Sequence, residues 1–186
     1  MKKYLTSLIL SFVLVGCTST IPDYLTNEES AENTILCEED SFSKTTTCKA
    51  EWVSSSWTTE GAEHKLFDSN KSINYRFLSE TKNSNTKISL IFQYLNNHGW
   101  SFFEYAYDSE GKKFPLERYS SDVKTVVYGQ AITEEIYTLD LTQAYIKNHK
   151  TGMSFKLYGK SMQIPFNVPE PYIKGFLNFL KKTKKI

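Results

Sequence analysis

No glycine-rich phosphate loop, Gly-x-Ser-x-Gly elbow or Gly-x-Gly-x-x-Gly fingerprint occurs in these 186 residues. Histidine is scarce. His64, His98 and His149 stand far apart, and none forms a His-x-x-x-His pair. The sequence therefore places each in a solvated loop, and no metal site is expected. Neither charge sign dominates, with 22 Lys and Arg against 21 Asp and Glu. That balance offers no electrostatic footprint for nucleic acid. No apolar run reaches the ~20 residues that a membrane-spanning helix needs. The longest, Leu5 to Val15, is about half that length.

That short run follows Lys2 and Lys3 and ends at Leu14-Val15-Gly16-Cys17. A positive start, a short apolar centre and a small-residue end make a secretory signal. The last four residues resemble the lipobox of bacterial lipoproteins. The resemblance covers residues 1 to about 19. It implies cleavage before Cys17, a diacylglyceryl thioether on its sulfur, and acylation of its new amino group. No Asp follows the Cys, which in the enterobacterial pattern implies an outer-membrane address. The domain would then face the periplasm, with display at the cell surface as the alternative. Several acyl chains hold stably where one alone holds weakly, since each buried CH₂ contributes ~0.8 kcal/mol.

Removing residues 1–16 leaves about 170 residues with a formal charge near −1. That length suits one domain plus a linker. Cys37 and Cys48 remain. In an oxidising compartment a disulfide between them is expected, with free thiols or a metal site as the alternatives. Closing the loop would contribute ~3 kcal/mol in the chain-entropy model. Residues 17–35 are polar and are expected to be a flexible tether, reaching ~20–25 Å. Ile21, Tyr24 and Leu25 are its apolar exceptions and could dock on the domain.

Residues 36–186 read as one β-rich domain. Apolar side chains alternate at Ile73, Tyr75 and Phe77, and at Ile88, Leu90, Phe92 and Tyr94. Ser79–Asn85 between these runs is read as a loop. Asn96 to Gly99 is read as a turn that pairs residues 86–96 with 100–107 in a hairpin. Residues 122–128 and 132–140 form a further expected strand pair, and Leu141–Lys147 a short helical turn. Met153–Leu157 and Met162–Val168 form a second hairpin. The period then changes. Tyr172, Ile173, Phe176, Leu177 and Leu180 make one apolar stripe on a helix. Gly175 within that stripe suits close approach to a sheet. The Lys-rich end, Lys181–Lys185, balances the helix dipole; contact with anionic lipid or peptidoglycan is its functional reading. The expected fold class is α+β: a bent antiparallel sheet of about seven to nine strands against the C-terminal helix. A β-sandwich with one C-terminal helix is the alternative.

Ser-x-x-Lys recurs along the chain, at Ser41, Ser79, Ser84 and Ser121 among others. With Tyr94-Leu95-Asn96 and Lys150-Thr151-Gly152 it resembles the three-part site of penicillin-binding proteins. That family starts a buried helix at its serine, whereas these serines lie in strand or loop sequence. The paired carboxylates Glu38-Glu39 and Glu134-Glu135 sit on strands, where neighbours face opposite ways, and read as solvated surface. No catalytic residue and no cofactor is assigned. The segment 100–107 puts Trp100, Phe102 and Ala106 on one expected face and Phe103, Tyr105 and Tyr107 on the other. One face can pack inward. Trp100, Phe103, Tyr105 and Tyr107 are therefore a candidate binding face for an envelope protein or glycan; a strand buried on both sides is the competing reading. A lipid-anchored binding module is the leading expectation. A small envelope hydrolase acting on peptidoglycan or lipid, and a prophage-type lipoprotein masking a surface receptor, are the alternatives.

Overall fold

A computed structural model describes residues 21–55, 72–96, 99–125, 131–160 and 162–183. The lipobox, His64 and His98 lie outside these residues. After a 3₁₀ turn at Asp23–Leu25, the elements are α1 (Glu28–Asn33), β1 (Leu36–Asp40), β2 (Thr45–Lys49), β3 (Val53–Ser55), β4 (Ser72–Lys82), β5 (Asn85–Asn96), β6 (Tyr105–Asp108), β7 (Lys113–Pro115), β8 (Glu117–Thr125), β9 (Ala131–Leu141), α2 (Gln143–Asn148), β10 (Met153–Tyr158), β11 (Gln163–Val168) and α3 (Glu170–Lys182).

The fold is α+β. Its strands divide between a seven-stranded sheet, ordered β1-β2-β4-β5-β9-β8 with β3 beside β4, and a four-stranded sheet, ordered β11-β10-β6-β7. Every described pairing is antiparallel. The inward residues of β4 (Ile73, Tyr75, Phe77), β5 (Leu90, Phe92, Tyr94) and β9 (Tyr137, Leu139) are almost fully buried. Two layers cover this face. The α3 stripe covers β4, where Phe77 stacks on Phe176 at 4.4 Å and on Tyr172 at 5.4 Å. The smaller sheet covers β5, where Phe92 meets Phe166 at 6.1 Å, and Phe103, in the segment leading into β6, covers β9, where it meets Tyr137 at 5.6 Å. Tyr75 joins the layers by donating its hydroxyl to the Asn167 carbonyl at 2.6 Å.

Four expectations change. The loop expected at residues 79–85 shrinks to a two-residue turn, because β4 runs to Lys82 and pairs with Asn85. Asn83 (φ +48°) and Ser84 (φ +65°) supply the two left-handed residues that a type I′ hairpin turn requires. The hairpin expected between 86–96 and 100–107 does not form. Both edges of β5 are occupied, by β4 and β9, so the chain leaves the large sheet and β6 enters the small one. Most of the expected tether is structured. Asn27 caps α1 through the Glu29 and Ser30 amides, Tyr24 and Leu25 pack on the core, and Ile21 stays exposed. Finally, Gly175 meets α1 and not a sheet. A Cβ there would lie 2.6 Å from the Ala31 Cβ and 2.6 Å from the Glu28 carbonyl.

The disulfide joins Cys37 and Cys48, which sit directly opposite each other in β1 and β2. It staples an edge strand whose five residues are all exposed.

A candidate ligand-binding face

The chain crosses between the sheets at residues 99–104, and a buried carboxylate shapes that crossing. Glu135 lies on β9, fully buried. It accepts the Ser101 N–H at 2.6 Å, the Phe102 N–H at 3.1 Å and the Tyr137 hydroxyl at 2.7 Å. The Tyr137 oxygen in turn accepts the Phe103 N–H at 2.9 Å. Three consecutive amides are thus satisfied by two side chains of one strand. Burial and the neighbouring Glu135 carboxylate both push the Tyr137 hydroxyl to a higher pKa, so it stays protonated and able to donate. Glu134, facing the other way, is half-buried and accepts from Gln93. The solvated-surface reading of this pair is therefore corrected for Glu135, the anchor of the crossing.

The Ser101 carbonyl accepts the Lys160 N–H at 3.0 Å. Gly159 makes room for it, because a Cβ there would approach that oxygen to 2.4 Å. The clamp holds Phe102 at φ +49°, a strained region for an aromatic residue. Its ring turns outward, with the Lys160 ammonium 4.8 Å away and the Arg118 guanidinium 5.9 Å away.

The alternation changes phase after Phe103, where exposed Glu104 is followed by outward Tyr105. Phe103 is buried with Ala106, while Tyr105 and Tyr107 point outward. The expected face is thus corrected at two of its four members. Phe103 belongs to the core. Trp100 is half-buried beside Phe102, in the crossing and off the strand. Tyr105 and Tyr107 remain, and the small sheet supplies neighbours from other strands. One cross-strand row runs Pro165, Lys156, Tyr107, Lys113; the next runs Gln163, Tyr158, Tyr105, Pro115. Tyr105 and Tyr158 stack at 5.2 Å, and Tyr107 stands edge-on to both at 5.5 Å. Lys113 reaches over Tyr105 at 4.0 Å and Lys156 over Tyr158 at 5.5 Å. The inward residues of β10 and β11 are Met153, Phe155, Leu157, Ile164, Phe166 and Val168, all buried. The outward residues of these four strands include no acid and no Leu, Ile, Val or Met. Lys156 was legible as outward by period two; Tyr158 and Lys113, and that all three adjoin Tyr105 and Tyr107, were not.

A second polar cluster sits at the β6–β7 turn. The Asp108 Oδ1 accepts the Glu110 N–H at 3.0 Å and the Lys112 N–H at 2.8 Å, and Oδ2 accepts the Tyr145 hydroxyl at 2.9 Å. Burial alone would raise this carboxyl; the Lys112, Tyr145 and Glu110 hydrogen bonds outweigh it and lower its pKa. His149, read as a solvated loop residue, is instead half-buried and stacks on Tyr145 at 4.0 Å. Its Nδ1 lies 2.8 Å from the Tyr145 carbonyl and therefore carries the proton; its Nε2 faces Glu110 at 3.4 Å. Ligand-capable atoms of Asp108, Glu110 and His149 lie within 4.8 Å of one another. Both Asp108 oxygens are already hydrogen-bonded, and the Lys112 ammonium lies over the Tyr145 ring at 4.6 Å. The cluster locks a turn to α2.

Among the described residues, the serines, tyrosine and lysine of the penicillin-binding-protein resemblance are not gathered at one place. Ser84 and Tyr94 stand at opposite ends of β5, about 30 Å apart at the rise of a strand. Lys150 is exposed after α2, and Tyr94 is buried. No Ser-x-x-Lys serine starts a helix. An open depression of about 580 Å³ lies at the β4–β5 tip, lined by Thr45, Glu80, Lys82, Asn85, Thr86 and Lys87, where the Thr86 hydroxyl is hydrogen-bonded to that of Thr81. No described helix is long and apolar enough to cross a membrane. Comparison with known proteins gave no match: no family model, curated protein or solved structure is significantly similar to this chain.

Proposed function

We propose that this chain is a lipid-anchored envelope lipoprotein whose domain binds another envelope component and does no chemistry. Anchoring rests on the lipobox resemblance at Leu14-Val15-Gly16-Cys17. A disulfide between Cys37 and Cys48 is in keeping with an oxidising compartment. The observation that carries the binding reading is the outward face of the small sheet. Three tyrosines and two lysines are gathered there from three strands, over a fully packed inner face. A strand buried on both sides would leave Tyr105, Tyr107 and Tyr158 covered, and they are half-exposed.

Two measurements test this. A fatty-acid analogue labels the wild-type protein in cells, and Cys17→Ala abolishes the label; retained label would remove the anchor from the proposal. Envelope fractions captured on the purified chain are compared with those captured on Tyr105→Ser/Tyr107→Ser. Loss of a defined component with unchanged thermal stability supports the face, and identical capture rejects it.

A further inference from the structure

We infer that the ligand of this face is an acidic polysaccharide, one whose sugars carry carboxylate groups. The inference rests on the binding reading above and deepens it.

The first observation is charge. Lys113 and Lys156 bracket Tyr107 in one cross-strand row. No outward residue of the four strands is acidic. Both lysines are exposed, and among the described residues neither forms an ion pair. Exposed Glu104 and Glu117 lie just beyond these strands and pair with neither lysine, so both ammonium groups are open to an incoming anion.

The second is the chemistry between the lysines. Buried tyrosines spend their hydroxyls inside the protein: Tyr75, Tyr137, Tyr145 and Tyr172 all donate to named acceptors. No described residue takes up the hydroxyls of Tyr105, Tyr107 or Tyr158. Gln163 and Asn167 add amides at the β11 edge. Such a surface donates many hydrogen bonds and is rich in ring edges. It lacks the aliphatic side chains that a protein interface core or an acyl layer would bury. Polyhydroxylated rings bearing carboxylates match it group for group.

The third is geometry. Tyr105 and Tyr158 occupy each other's faces by stacking, and Lys113 lies over Tyr105. Recognition therefore runs through hydroxyls and ammonium groups, with Tyr107 as the ring set crosswise. Each row crosses four strands, about 14 Å at strand spacing, enough for a short run of sugar rings.

The test uses the full chain purified from membranes in detergent. The probes are polygalacturonate as the acidic polymer, dextran as the neutral one, and phosphatidylglycerol vesicles as an anionic surface without sugar. Polygalacturonate is expected to bind and dextran not to. Binding should weaken with added salt. Lys113→Gln/Lys156→Gln should weaken it about ten- to hundredfold, the range for losing charged hydrogen bonds, and Lys113→Arg/Lys156→Arg should retain it. An unchanged melting temperature separates lost contacts from lost fold.

Failure to bind polygalacturonate overturns the inference. So does equal binding to dextran, or vesicle binding with the same sensitivity to the lysine variants. If envelope capture is still lost in Tyr105→Ser/Tyr107→Ser, the binding face survives and only its ligand class falls. If capture is unchanged as well, the face itself falls.

Discussion

Glu134 and Glu135 are chemically identical neighbours with unrelated jobs, and the strand pleat separates them. Glu135 points inward, fully buried, and satisfies two amides and a hydroxyl. Removing it would orphan buried donors, each costing about 1–3 kcal/mol. Glu135→Ala is expected to lose at least one such increment in urea unfolding, whereas Glu134→Ala should change stability by under ~1 kcal/mol. Equal effects would refute the anchoring role. Asp108 has a folded-state pKa below its ordinary value. Its contribution is therefore present above the ordinary carboxylate range and fades as pH falls through the lowered value. Asp108→Asn should flatten the acid limb of the stability profile and weaken the protein at neutral pH. A profile unchanged in shape would rule out Asp108 as a source of acid sensitivity.

At the scale of elements, the N-terminal helix and the C-terminal helix define each other. Gly175 lets α1 come within contact of the α3 backbone, and Lys174 bridges Glu28 at 3.0 Å and Glu170 at 2.6 Å. Alanine is the better helix former by ~1 kcal/mol. Gly175→Ala should nevertheless destabilise, because its Cβ meets α1 backbone atoms that cannot swing away; overpacking of this kind costs about 1–3 kcal/mol. A raised melting temperature would show that α1 is easily displaced. The stapled edge gives a second expectation. Cys37→Ser/Cys48→Ser should lose about 2–3 kcal/mol in denaturant unfolding. Proteolysis should then begin near β1, which among the described strands pairs only with β2.

Across the whole molecule, legibility follows the range of the interactions involved. The α3 stripe, the β10–β11 hairpin and the β8–β9 pair were readable because each is local: period and turn residues specify them within about twenty positions. The β5 hairpin with 100–107 was misread because both β5 edges are taken by strands distant in sequence. The left-handed backbone at Phe102 is held by a carboxylate 33 positions away. Two of the five residues of the candidate face were visible, as Tyr105 and Tyr107. Tyr158, Lys156 and Lys113 joined it only through registers that no local pattern encodes.

By itself the sequence determined the α+β class, the alternation that sorts core from surface within each strand, the amphipathic last helix and the Cys37–Cys48 pair, because each needs only spacing along the chain. Tertiary structure alone decided that the strands split into two sheets, that Glu135 is buried and Gly175 faces α1, and which tyrosines and lysines share a surface. Those outcomes depend on which distant edge each strand finds unoccupied, and packing settles that.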